Sequence, residues 1–566
     1  MAMNTTRRAF MGGIAASALA PQVAFARRTG SYDAILRGGM VFDGLGNAPV
    51  EADVGIAGGR IAAIGKLAGR RAALEIDARG KAVAPGFVNT LSWSNESLIE
   101  DGRSQGDIRQ GVTLEVMGEG TSMGPLNAEM KARTVREQGD IHYPVTWTSL
   151  SDYLGFLEAK GVSCNVASFI GAGTLRAHEV GYDDVRANPA QLRAMQALVR
   201  AEMRGGALGI GSSLIYAPDN FANTDELVAL TQAAAQFGGG YISHMRSEGT
   251  HYLEAIDELL EIARRAKARV QMYHMKPAGQ TNWGKADAGL AKLNAARSAG
   301  IDVSANVYTY TAGATGLDAA MPLWVQQGGR DAWISRLKDP AIRARVLAEM
   351  RAPAVGWESL YQAAGTPENV LLIGFNNPAL KPLTGKTLAE VSALRGTSPE
   401  DTIIDLVIED GSRVDTAYFV MSEENLKKNL KWGWTMLGSD SASMAPEGKF
   451  LLKSTHPRAY GNFARFLGRY VRDQQVMPLA EGIRRLTSLP IRQLGLKGRG
   501  RLAVNYAADV VVFDPAAITD HATFAKPHQY ATGVSEVLVG GQAVLRGGDH
   551  TGAAPGRFVK GPGWRG

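Results

Sequence analysis

The chain has one cysteine in 566 residues, Cys164, so no intramolecular disulfide framework can hold it together. Lying in a strand-like run, that thiol reads as a small buried hydrophobe rather than a nucleophile or ligand. Long apolar runs are missing too. The apolar stretch near the N-terminus, residues 12–19, is too short to span a bilayer, which argues against a stable membrane anchor. Blocks of like charge are absent. The net charge of +6 comes from 61 Lys and Arg against 55 Asp and Glu, and the basic residues are dispersed. Part of the excess sits in Arg7, Arg8, Arg27 and Arg28, so the charge describes a solvated surface and not a nucleic-acid-binding face. There is no internal repeat and no low-complexity segment. What is present is ordinary for a soluble enzyme: 45% hydrophobic residues, 20% charged residues and 67 glycines, a mild excess suited to many short loops. The length suffices for a large barrel plus an accessory domain.

The first 26 residues read as an address. Thr5-Thr6-Arg7-Arg8-Ala9-Phe10-Met11 is a twin-arginine pattern, the short apolar stretch follows, and Ala24-Phe25-Ala26 offers a small-x-small cleavage site. The expectation is a signal peptide over 1–26 and a periplasmic protein exported by the twin-arginine route.

Beyond the address, two textures alternate. From 27 to 84, short β-runs are broken by glycine, and the same texture returns over 496–550. The two segments are expected to join into one small β-sandwich, with a tail at 551–566. Between them, residues 85–495 alternate strand-like and helical stretches, the pattern of a parallel sheet. Eight strands are expected at 86–90, 113–119, 165–171, 207–211, 241–244, 270–274, 303–307 and 435–439. Helices over 225–236 and 252–266 are clear from their apolar spacing. The predicted fold class is therefore α/β, a (β/α)8 TIM-like barrel with a β-sandwich formed from both chain ends. The gap at about 317–431 is longer than one crossover helix needs and is expected to be a helical insertion over the barrel mouth.

Catalytic groups of such barrels sit at the C-terminal ends of the strands. Here the second strand closes on Gly118-Glu119-Gly120, the fifth on Ile242-Ser243-His244, the sixth on Met272-Tyr273-His274 and the eighth on Gly438-Ser439-Asp440. Two imidazoles and a carboxylate make a site for a zinc-like ion, with a fourth position open to water. The remaining carboxylate can take a proton from that water and return it to a leaving nitrogen.

Longer stretches carry a resemblance. Pro85-Gly86-Phe87-Val88, residues 206–218 ending Tyr216-Ala217-Pro218, Ser243-His244-Met245-Arg246-Ser247-Glu248-Gly249, His274-Met275-Lys276-Pro277-Ala278-Gly279 and His456-Pro457-Arg458 resemble the D-aminoacylase (N-acyl-D-amino-acid deacylase) branch of the metal-dependent amidohydrolase superfamily. The resemblance runs from about residue 32 to 556. It implies hydrolysis of the amide of an N-acyl-D-amino acid by a metal-bound hydroxide. It implies His244 and His274 as metal ligands, Asp440 as catalytic aspartate and Lys276 as the residue holding the substrate carboxylate. Tyr216 and Tyr308 fall at pocket positions.

Three departures from the pattern shape the expectation. Where the superfamily has His-x-His after the first strand, this chain has Leu91-Ser92-Trp93, so one Zn2+ per chain is expected rather than two. Where the family has a ligand cysteine, Glu119 is the oxygen-bearing substitute. Where a family histidine follows the third strand, this chain has Ala172. The partner is expected to be a small molecule carrying a carboxylate. The same machinery could serve a D-dipeptide, cyclic amide, carbamate or lactone, and a decayed periplasmic binding protein is the reading of another class.

Overall fold

The computed structural model describes residues 32–565; the expected signal peptide lies outside the described residues. Eight parallel strands form the barrel. The first three, Phe87–Asn89, Val112–Met117 and Asn165–Ser168, pair in chain order. A two-residue continuation, Ile170–Gly171, passes the ladder to Gly209–Ser213, Gly240–His244, Val270–Met272, Val303–Val307 and Thr435–Leu437. Closure between the eighth and first strands is made by the Thr90 amide donating to the Leu437 carbonyl at 3.3 Å and by a parallel bridge between Ser92 and Ser441. Every residue of these strands is buried, because helices cover the outside and side chains fill the lumen. The helix Tyr252–Ala266 shows the outer layer's logic: Ile256, Leu259, Leu260 and Ala263 are buried, while Glu254, Glu261 and Arg264 face water.

Strand ends depart from the sequence expectation in a consistent way. The second and sixth strands stop at Met117 and Met272, two residues short of Glu119 and His274, and the eighth stops at Leu437 rather than Ser439. Beyond each end the backbone turns left-handed, at Gly118 (φ 101°) just before Glu119 and at His274 (φ 32°) and Asp440 (φ 50°) themselves, so the polar residues stand outside the ladder. The fourth strand begins at Gly209, two residues later than expected, because Gly206 caps the preceding helix in a left-handed conformation.

Both chain ends build one nine-stranded sheet. Ala82–Pro85 from the N-terminal part pairs antiparallel with Val510–Phe513 from the C-terminal part. A bulge in Tyr32–Val41 between Leu36 and Gly39 lets that strand serve three neighbours, and the layers close over Leu36, Val54, Ile56, Ile76, Val510 and Leu538. The insertion is not purely helical, as had been expected. Gly313–Gly316, Val370–Gly374 and Asp415–Tyr418 form a three-stranded antiparallel sheet packed with helices around a separate core that includes Trp333, Phe375 and Ile404. Strands of four or five residues, covered by neighbours, leave too little alternation to be read from sequence. No helix among the described residues is long and apolar enough to cross a membrane.

Candidate metal centre and active site

Glu119, His244 and His274 come together, all buried, with one ligand atom from each lying within 4.8 Å of the others. His244 Nδ1 is 3.0 Å from His274 Nε2, and Glu119 Oε1 is 3.1 Å from His274 Nε2 and 3.5 Å from His244 Nδ1. A zinc ion bound at 2.0–2.1 Å by tetrahedral N and O ligands spaces them by about 3.3 Å. The three separations straddle that value, so the residues fit a single small divalent cation.

The fold fixes each ligand separately. His244 is the last residue of its strand, in register with Ser213 next door. The His274 amide donates to Asn306 Oδ1 at 2.6 Å, which anchors its left-handed turn to the seventh strand. Behind the imidazoles lies Glu248, which had not been singled out as a site residue. Its carboxylate is 2.9 Å from His274 Nδ1 and 3.7 Å from His244 Nε2, so one acid backs both rings on the side away from Glu119. The available signal was its place four residues after His244. Lys276 Nζ donates to Glu248 Oε1 at 2.7 Å and lies 2.9 Å from His274 Nδ1. The expected carboxylate holder is thus already engaged with the support of the metal ligands.

The electrostatics are those of a cation site. Burial would raise the Glu119 carboxyl, but hydrogen bonds from His244 and His274 outweigh it and hold the group down to about 2. Burial and Lys276 push His274 down, yet Glu248 and Glu119 together hold it up at about 9. Burial also opposes ionisation of Glu248, and Lys276 with the two histidines keeps it below the usual carboxylate range.

Asp440 stands on the same cavity wall. Its amide donates to the Leu91 carbonyl at 2.8 Å, Trp93 Nε1 donates to Oδ1 at 3.1 Å, and Arg458 Nη1 lies 2.9 Å from Oδ2. Burial raises this carboxyl above its ordinary value, against the pull of Arg458 and His274. Tyr308 is buried, its hydroxyl without a hydrogen-bond partner among the described residues, and its ring lies 4.4 Å from the Arg458 guanidinium. The Tyr216 ring lies edge-on to His244 at 5.3 Å and beneath Arg413 at 4.9 Å.

A cavity of about 440 Å³ is lined by all seven residues singled out from the sequence, Glu119, Tyr216, His244, His274, Lys276, Tyr308 and Asp440. Trp93, Glu248, Arg413 and Arg458 line it as well. Arg458 had been visible only within the His456-Pro457-Arg458 motif. Arg413 carried no sequence signal: it arrives from the far end of the insertion, held by Asp318 at 2.9 Å, and only tertiary folding brings it here.

A (β/α)8 barrel with a His–His–carboxylate cluster at its strand ends and a further carboxylate beside it defines a hydrolase class of site that works with a divalent metal. The chain belongs to the amidohydrolase family, which residues 74–545 match, and to its D-aminoacylase branch. It is 33% identical to D-aminoacylase of Alcaligenes xylosoxydans xylosoxydans over 532 residues, covering 93% of this chain and 97% of that one. N-acyl-D-glutamate deacylase of Bordetella bronchiseptica, solved with zinc and a phosphonate mimic of the tetrahedral intermediate, superposes with a TM-score of 0.77. That match has 28% identity and covers 94% of this chain and all of the other. D-aminoacylase superposes with a TM-score of 0.76 at 32% identity over 94% of this chain and all of that one, and its binuclear centre is described by one-metal activation and second-metal attenuation.

Proposed function

We propose that this chain is a metal-dependent deacylase that hydrolyses the amide of N-acyl-D-amino acids with one zinc ion held by Glu119, His244 and His274. The observation that carries the reading is the convergence of those three ligand atoms and Asp440 on one cavity. The kinship to D-aminoacylase and N-acyl-D-glutamate deacylase along nearly the whole chain supplies the bond and the stereochemistry. When bound, the ion supplies Lewis acidity that polarises the acyl carbonyl and lets a water lose its proton near neutral pH.

The protein's own groups do the rest. Asp440 takes that proton and returns it to the leaving nitrogen, while Arg458 balances its charge. Glu248 holds both imidazoles so that their other nitrogens face Glu119. Lys276 and Tyr308 form the polar wall toward the substrate carboxylate, and Tyr216 bounds the cavity beside His244. No observation favours a lactone, carbamate or cyclic amide, and the complete ligand set gives none to a decayed binding protein. The paired arginines and the Ala-x-Ala site support export to the periplasm.

The test is amine release from matched N-acetyl-D- and N-acetyl-L-amino acids before and after chelation. The D-forms should be cleaved, chelation should abolish the activity, and one equivalent of zinc should restore it. Full activity in metal-free protein, or cleavage of L-forms alone, would refute the assignment.

A further inference from the structure

We infer that Trp93 is a positioning residue for Asp440, its indole N–H fixing the carboxylate in the orientation in which it takes and returns a proton. The inference rests on the metal-dependent reading above and concerns a residue whose side chain offers no ligand atom.

The backbone places Trp93 before its side chain acts. The Trp93 amide donates to the Ser441 carbonyl at 3.0 Å, the Asp440 amide donates to the Leu91 carbonyl at 2.8 Å, and Ser92 bridges Ser441 in parallel. Residues 91–93 and 440–441 therefore move as one strip. Leu91 turns inward among Val88, Leu114, Ile242 and Tyr273 in the barrel lumen. Trp93 turns to the cavity and gives its indole N–H to Asp440 Oδ1 at 3.1 Å, while the buried Arg458 guanidinium stands 2.9 Å from Oδ2.

Oδ1 thus accepts the indole N–H, while Oδ2 lies against the guanidinium as an ion pair without a hydrogen bond of its own. An indole N–H neither takes nor gives up a proton near neutral pH, so it can orient Asp440 without competing for the proton that Asp440 carries. The same contact holds one rotamer on a left-handed backbone, φ 50°, that an aspartate adopts at a cost.

The experiment compares wild type with Trp93→Phe, which keeps the ring and removes the donor. Zinc per chain is counted after equilibration with excess zinc and gel filtration, and kcat and KM are measured on an N-acetyl-D-amino acid. Wild type should hold one zinc and keep its activity in excess zinc. Trp93→Phe should also hold one, with KM within about threefold and kcat lower by roughly 10- to 100-fold, the worth of a hydrogen bond to a charged group. Packing alone would be satisfied by phenylalanine and would leave kcat unchanged. A zinc-deficient Trp93→Phe, or wild-type kcat in that variant, would each overturn the inference. Absence of turnover in every protein would defeat the proposed reaction together with the inference that rests on it, whereas a wild type that turns over beside a Trp93→Phe of unchanged kcat would defeat the inference alone.

Discussion

Asp440 and Lys276 both line the cavity, yet their surroundings give them separable tasks. Asp440 has no role in holding the three ligands, so Asp440→Asn should retain its metal while turnover falls by ~10²–10⁴, since the amide cannot act as base. Zinc analysis beside a rate measurement checks this, and full activity in the variant would remove Asp440 from the mechanism. Lys276 is different because its ammonium neutralises Glu248 directly behind His274. Lys276→Ala should weaken metal binding by roughly 10- to 100-fold, as loss of ligand support does. It should also raise KM more for carboxylate-bearing substrates than for neutral amides. A change in KM with zinc affinity untouched would mean that Lys276 serves the substrate alone. Glu119, the two histidines and Asp440 were legible in sequence because each stands at or within three residues of a strand end. Glu248 was not, since a carboxylate four residues after a histidine, in a loop, looks like any surface acid until the fold buries it.

Among the elements, the C-terminal segment does more than its label as a tail suggested. It runs beneath the barrel: the Gly556 amide donates to the Val162 carbonyl at 2.7 Å, Val166 to Arg557 at 3.0 Å and Val559 to Val166 at 2.8 Å. Phe558 is buried in the main core and Val559 among the lumen residues. Gly556 lies so close to Cys164 that an added Cβ would fall 1.9 Å from its carbonyl oxygen, so only glycine lets the segment dock. Phe558→Ala should therefore cost about 3–5 kcal/mol, as large-to-small changes in cores do, and leave the zinc content unchanged. Denaturant unfolding measures the first and elemental analysis the second; an effect below ~1 kcal/mol would show that the segment is an ornament. The barrel's strands were readable as short strand-like runs alternating with helical stretches. The insertion's short sheet and the last two residues of several strands were not, because hydrogen-bond ladders end where left-handed turns begin, and hydrophobic pattern does not register that.

At the scale of the whole molecule, the proposed export route makes a prediction about residues outside the described ones. Arg7→Lys with Arg8→Lys should leave the protein in the cytoplasm, still folded, whereas the unaltered chain should appear in the periplasm shortened after Ala26. Fractionation with N-terminal sequencing of the exported protein decides it, and unchanged export of the variant would end the twin-arginine reading.

The sequence by itself determined the alternation of strand and helix, the separate β-texture at both ends, and the kinds of residue at the strand ends. These are local properties, set by side-chain periodicity and by where glycine and polar residues interrupt it. Tertiary structure alone decided which groups meet. Arg413 reaches the cavity from the far end of the insertion, Trp93 and Asp440 touch across 347 positions of chain, and one buried acid backs two histidines 30 positions apart. The contact between Trp93 and Asp440 depends on barrel closure, which joins the first strand to the eighth, and no periodicity within a strand encodes the identity of its neighbour.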